Sequence, residues 1–404
     1  MDSLTKPQPR IMFAAGEASG DMYAAELMSR LAEQLPELAA FGLGGARSRA
    51  AGIETIIDMD QVSVMGLVEV LRHYGSLRAA LNTLIEALDR RRPDLLIAID
   101  FQEFNQRLAR AAKARGIPVL FFVAPQVWAW RPGRARHFDR YADHLAVLFD
   151  FEVPLFAQHG LPTTHVGHPL IDLIDRKTPS QPAARKTLAL PADAPIIGLL
   201  PGSRRGEIER LLPVFIATAD RLLAAEPARQ FVLPRADSID PDWLTKQIDR
   251  AAPSATLRDR LTITDSNARA VMAAADALLI ASGTATLEAA LIGTPQVIAY
   301  RSNVLTYALA RGLLRIERVG LPNIVLDRPA VPERIQHAAN PGRLAADIEA
   351  ILSASGAREQ RYAAGEIRER LGAGGAFERL AKLATRMVAG DDTASRLSDL
   401  NDHR

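Results

Sequence analysis

Apolar residues in this chain gather into short runs, each followed by a small-residue turn and then by apolar positions at helical spacing. In the first half the runs are Ile11–Ala15, Glu54–Ile57, Pro93–Asp100, Ile117–Val123 and His144–Phe149. In the second they are Ile196–Leu200, Phe231–Pro234, Leu261–Thr264, Ala277–Ile280 and the stretch after Gly293-Thr294-Pro295 that ends at Tyr300. A run such as Ala277-Leu278-Leu279-Ile280 lacks polar alternation, the pattern of a parallel strand covered on both faces. Phe104–Arg115 and Glu207–Ala225 read as helices, as does the segment from the Gly16–Asp21 turn to about Leu35. The strand–helix alternation therefore runs twice. It predicts an α/β protein of two Rossmann-like parallel-sheet domains facing a cleft.

Between Asp175 and Pro195 the composition shifts to prolines at 179, 182, 191 and 195 among polar residues and alanines. A domain boundary is expected there. The reading is a first domain over 1–180, a second over 190–355, helices over 356–390 able to pack back on the first domain, and a polar, disordered tail over 391–404. A length of 404 residues exceeds one ordinary core and agrees with two domains. The formal charge is +2, from 49 basic and 47 acidic residues, so no nucleic-acid partner is expected. The absence of cysteine excludes disulfides, thiol nucleophiles and thiolate metal sites. No long apolar stretch opens the chain and none reaches spanning length, so neither a signal peptide nor a membrane span is expected.

The clearest candidate chemistry lies in Leu278–Tyr300. Ser282-Gly283-Thr284 follows a strand and opens a helix, so hydroxyls and helix-start amides converge as a cradle suited to phosphate. The same residues would also serve as a plain helix cap. Glu288 lies about a turn further in, where it would suit a ribose diol or simply face solvent. Gly202-Ser203-Arg204 repeats the strand–turn–helix arrangement and adds a guanidinium, with a surface salt bridge as the alternative role for Arg204. The Gly16–Asp21 turn follows the first strand, where doubly wound folds place ligands. Phe41–Gly45 reads as a second glycine turn, for ligand contact or for close packing of helix on strand. Asp100 ends the strongest strand of the first half, so its carboxylate opens at the sheet's carboxyl edge or caps the next helix. Asp58-Met59-Asp60 and Asp240-Pro241-Asp242 are the pairs a metal-dependent transferase would use. They read as surface and helix cap, and no metal is expected.

Eight segments occur in one order across about residues 11–330. They are GEASGD (16–21), SVMGLVEVL (63–71), IDxxxFN (99–105), PQVWAWRPGR (125–134), VGHP (166–169), LLPGSRRGEIE (199–209), SGTATLE (282–288) and LPN (321–323). Together they resemble the lipid-A-disaccharide synthase family. Where that family commonly has a small residue, Pro and Asp before Phe-Asn, this sequence has Phe101-Gln102-Glu103.

The resemblance implies a GT-B type, inverting glycosyltransferase with no cofactor. It would join UDP-2,3-diacylglucosamine and 2,3-diacylglucosamine 1-phosphate into the β-1,6-linked lipid A disaccharide 1-phosphate and release UDP. Gly202, Ser203, Arg204, Ser282, Gly283 and Thr284 would then grip the diphosphate, Glu288 the ribose, and Asn323 another part of the nucleotide. Asp100 would take the proton of the acceptor 6-hydroxyl, with Glu17 and Asp21 as alternatives and Glu17 also able to bind acceptor. A lipid substrate needs an apolar landing site with cations around it. Val62–Leu71 (with Val64, Met65, Leu67 and Val68), the cluster Trp128, Trp130, Arg131, Arg134 and Arg136, and Leu305–Arg318 offer one. The expected location is the cytoplasm, peripheral on the cytoplasmic face of the inner membrane, and a homodimer is left open. A UDP-N-acetylglucosamine transferase of cell-wall synthesis, a UDP-sugar 2-epimerase, and a non-catalytic two-domain sugar-binding protein are the competing readings.

Overall fold

A computed structural model describes residues 8–62, 74–125, 132–265, 267–302 and 318–390. Val64, Met65, Leu67, Val68, Trp128, Trp130, Arg131, the side chain of Arg134, residues 303–317 and the tail 391–404 lie outside the described residues. The chain divides into two compact units. One comprises Met1–Asp172 with Gly374–Arg404, the other Leu173–Ala373.

In the first unit the strands are β1 (Arg10–Ala15), β2 (Ala39–Gly44), β3 (Glu54–Asp58), β4 (Leu95–Ile99), β5 (Val119–Phe122), β6 (His144–Val147) and β7 (Thr163–His165). They form one parallel sheet in the order β3-β2-β1-β4-β5-β6-β7. In the second unit β8 (Ile196–Leu200), β9 (Gln230–Arg235), β10 (Leu261–Asp265), β11 (Ala277–Ala281), β12 (Gln296–Tyr300) and β13 (Glu333–Ile335) form another, ordered β10-β9-β8-β11-β12-β13. Its pairs are also all parallel.

The apolar runs become strands because both faces of each sheet are covered. In the second unit Ile197, Leu199, Phe231, Leu279 and Val297 enter one core, while Ile196, Leu200, Val232, Leu278 and Ile298 enter the core on the other face. Burying a side chain of the size of Phe231 stabilises the unit by about 2–3 kcal/mol, which a strand with one wet face would forgo at every second position. The strand order reverses between β1 and β4 and again between β8 and β11. Register pairs Ala15 with Ile99 and Ile280 with Leu200. Within each unit, the two turns that leave its central strands thus start side by side.

Several expectations change. Phe41–Gly44 is strand, not turn. Gly42 has φ +143°, and a Cβ there would lie 2.0 Å from the Phe13 carbonyl oxygen, so glycine admits the neighbouring strand where the β2–β3 register shifts. Asp21 is not available as a base. Its buried carboxylate accepts from the Gly45 N–H at 2.6 Å, the Arg47 N–H at 3.1 Å, the Ser48 N–H at 3.0 Å and the Ser48 hydroxyl at 2.5 Å, closing the turn into the helix Ala46–Ala50. As expected, Asp240 caps the helix Pro241–Arg250 through the Trp243 N–H, while Asp58 accepts from the Asp60 N–H and pairs with Arg49. The chain passes between the units at Leu173, inside the helix Pro169–Lys177, and the proline-rich stretch 179–195 belongs to the second unit. Arg185 anchors it there by a bidentate pair with Asp276 at 2.9 Å. The helix Ala354–Leu371 stays with the second unit through Gln360–Gln296 hydrogen bonds. The helix Ala376–Val388 joins the first, where Asp172 caps it and Arg379 donates to the Val166 carbonyl.

Two measurements test this account. Asp21→Ala strands four donors, and should lower the free energy of the first urea transition by about 3 kcal/mol. His144 and His168 are buried neutral, and burial pushes both from 6.5 down to about 4. The unfolded chain therefore binds the extra protons between those values. Stability should be fully present above about pH 6.5 and fall as pH drops toward 4, by about 3 kcal/mol per histidine over the window. Thermal melts of His144→Gln should show a flatter acid limb than the parent.

Candidate active site

The second unit's site grows from its central strand pair. After β8, Gly202 turns the chain with φ +124°, a conformation that favours glycine. Ser203 and Arg204 follow, exposed, and the helix Arg205–Ala225 begins. After β11, Ser282-Gly283-Thr284 leads into the helix Thr284–Ile292. This turn is held from beneath. The Ser282 hydroxyl donates to the Val319 carbonyl at 2.7 Å and the Thr286 hydroxyl to the Gly283 carbonyl at 2.7 Å. Gly283 and Thr284 stand exposed at the helix start, where amides have no intrahelical acceptor. Glu288 is paired with Arg269 at 2.9 Å, so its carboxylate is fixed rather than solvated.

Two predicted contacts are corrected. Ser282 keeps neither donor free, since its N–H goes to the Ala299 carbonyl and its hydroxyl to Val319. Asn323 is buried with its amide fully used. It donates to the Val331 carbonyl at 2.8 Å and Glu333 at 2.5 Å, and accepts the Ala330 and Val331 N–H groups, both at 2.8 Å. Its side chain ties down the loop 330–333.

In the first unit, Gly16-Glu17 follows β1 and Asp100 follows β4. Asp100 and Phe101 both adopt left-handed backbone, with φ +48° and +47°, and Val123 at the end of β5 has φ +71°. Left-handed backbone in non-glycine residues costs about 1–3 kcal/mol each and persists only where surroundings enforce it. Here Asn105 does so, donating to the carbonyls of Ala14, Ile99 and Asp100 at 3.0, 3.2 and 2.8 Å. The Phe101 ring lies over Gly16, where a Cβ would sit 2.3 Å from it. Phe101, not Asp100, is the cap residue of the helix Gln102–Lys113, so the capping alternative fails. Burial raises the Asp100 carboxyl above the usual range, opposed by the Gln102 side chain and the Phe101 N–H. Gln102 also donates to the Val123 carbonyl at 3.0 Å, joining two of the strained strand ends. Glu17 is half-buried and makes no capping bond to the helix Ala18–Gln34.

Sequence reasoning missed Arg269, which no local spacing links to Glu288. It also missed Arg301, which directly follows β12. Its guanidinium donates to the Ala339 carbonyl at 2.7 Å and burial lowers its pKa. A cation at a central strand's carboxyl end was the signal available for it. Among the described residues no group of three His, Asp or Glu side chains has metal-holding geometry.

Paired parallel α/β units with strand-end turns at each switch point give the GT-B fold. Acinetobacter baumannii MurG superposes with a TM-score of 0.55 at 16% identity, covering 94% of this chain and 100% of its own. An S. aureus MnaA–UDP co-structure gives 0.63 at 14% identity, covering 94% and 97%. These likenesses define the fold class, GT-B. The sequence carries the particular assignment. The model of the lipid-A-disaccharide synthetase family matches residues 11–381. The lipid-A-disaccharide synthase of Trichlorobacter lovleyi is 42% identical over 386 residues, 94% of this chain and 97% of that protein. The chain belongs to the lipid-A-disaccharide synthase family and is a glycosyltransferase of lipid A biosynthesis.

The Gly202 turn admits a direct test. A Cβ there would lie 2.4 Å from Glu207 Oε2 in backbone that side chains avoid. Gly202→Ala should lower the thermal unfolding free energy of the second unit by about 2 kcal/mol, measured by calorimetry.

Proposed function

We propose that this chain transfers 2,3-diacylglucosamine from its UDP derivative to the 6-hydroxyl of 2,3-diacylglucosamine 1-phosphate, with inversion. The products are the β-1,6-linked disaccharide 1-phosphate and UDP. The second unit holds the donor. The amides of Ser203, Gly283 and Thr284 and the Arg204 guanidinium receive the diphosphate, and Glu288, oriented by Arg269, accepts from the ribose hydroxyls. The first unit holds the acceptor sugar. Asp100 removes the 6-hydroxyl proton as the oxygen attacks the anomeric carbon, and Arg204 with the turn amides balances the charge that builds on the departing UDP.

The observation that carries this reading is Asp100 itself. It is a desolvated carboxylate at a switch point, held in strained backbone, with no cation beside it among the described residues. Desolvation makes it a stronger base than a surface aspartate. The alternative base Asp21 fares worse, since four donors engage it. The apolar and basic segments around 62–71, 128–136 and 305–318 would take the acyl chains and lipid phosphate at the cytoplasmic face of the inner membrane. Among the described residues no helix is long and apolar enough to cross a membrane.

Incubating the purified protein with both acylated sugars should yield the disaccharide phosphate and equimolar UDP by mass spectrometry. Asp100→Asn should lower kcat by about 10²–10⁴ with the fold intact by circular dichroism. The base acts only when deprotonated, so parent activity should rise with pH along a limb centred above the ordinary aspartate value of about 3.9. A variant with near-parental turnover, or UDP release without disaccharide, would remove Asp100 or the whole reaction respectively.

A further inference from the structure

We propose that Glu207 is a built-in competitor for the diphosphate seat of the second unit. This rests on the reading that the Gly202–Arg204 turn grips UDP. The helix Arg205–Ala225 opens after Arg204, a residue whose side chain has no acceptor to offer the helix-start amides. Glu207, in the first turn, supplies the acceptor from inside. Its Oε2 accepts the Ser203 N–H at 3.2 Å and its Oε1 accepts from Arg204 Nη1 at 3.2 Å. Its carboxylate also lies against Gly202, so closely that a Cβ on that residue would overlap it. Each residue of the turn therefore meets this one side chain.

These are the donors a diphosphate needs. The amide and guanidinium that would take phosphate oxygens already take carboxylate oxygens of similar spacing and the same sign of charge. Two anions do not share such a seat without repulsion. For the diphosphate to dock, Glu207 swings out. When it leaves, Glu207 returns to hold the turn in shape. Glu207 is half-buried and on the first turn of its helix, so a χ rotation suffices and no backbone moves. The carboxylate thus weakens diphosphate retention while it keeps the turn ordered, which favours release of a tightly held nucleotide product.

The test compares parent, Glu207→Gln and Glu207→Ala by calorimetric titration with UDP, and with uridine as a probe lacking the diphosphate. Glu207→Gln keeps the shape and an accepting oxygen but removes the charge. It should bind UDP about tenfold tighter, with uridine affinity unchanged. Glu207→Ala should shift UDP affinity in the same direction. Tightening by neither variant, or weaker binding by both, overturns the inference and makes Glu207 an aid to Arg204. An equal change for UDP and uridine also overturns it, since the effect would then lie in turn shape rather than charge. Parent protein that binds no UDP overturns the donor-site reading, and this inference with it.

Discussion

The parallel register of two strand pairs sets where the strand-end turns of each unit lie. β1 runs beside β4 and β8 beside β11, each pair in step to its last residues. At both places the chain's winding direction reverses, so the connections on either side part to opposite faces of the sheet. What remains outside the strand ends is a crevice floored by turns. Gly16 and Asp100 flank one, and Gly202–Arg204 and Ser282–Thr284 flank the other. A slip of one residue in either pair would send each terminal side chain to the opposite face and each amide out of line. The apolar cores on both faces prevent that slip, so core packing fixes site geometry directly.

The two crevices are built by different means. In the second unit the proposed donors are mostly backbone groups, with the Arg204 guanidinium beside them, and side chains such as Ser282 and Thr286 brace one of the turns by bonding inward. In the first unit the proposed base is a side chain, and the bracing acts on the backbone that carries it. Asn105 bonds three carbonyls around the β4 exit, Phe101 covers Gly16, and Gln102 links Asp100 to Val123. Three non-glycine residues in left-handed backbone at adjacent strand ends would relax in a site free to choose.

The central strands were legible because parallel strands covered on both faces leave uninterrupted apolar runs, as Pro93–Asp100 and Ala277–Ile280 did. Of the edge strands, β3 and β10 were legible, but β7 and β13 were not. Thr163–His165 and Glu333–Ile335 are three residues each, half-exposed, and carry no apolar run. Glycine in Phe41–Gly44 suggested a turn because a strand position that must admit a neighbouring carbonyl looks the same in sequence. Candidate residues at central strand ends could be read for position but not for partners. Asn323 and Asp21 stood in family-like motifs, yet their hydrogen bonds close loops within their own units. Ser282 likewise proved to be bracing, because its acceptor, Val319, lies far along the chain.

The partners, once seen, separate two carboxylates that sequence alone treats alike. Glu288 sits beside Arg269, which fixes the direction of its carboxylate. It is suited to accept hydrogen bonds in that direction, as the proposed ribose contact requires. Asp100 has been taken out of water with only neutral donors, Gln102 and the Phe101 N–H, to compensate it. Its ionised form is the less comfortable one, which is what the proposed role as proton acceptor needs. In the proposed transfer two chemically equivalent groups thus take opposite tasks. The assignment lies in what stands next to each, a guanidinium in one unit and buried, strained backbone in the other.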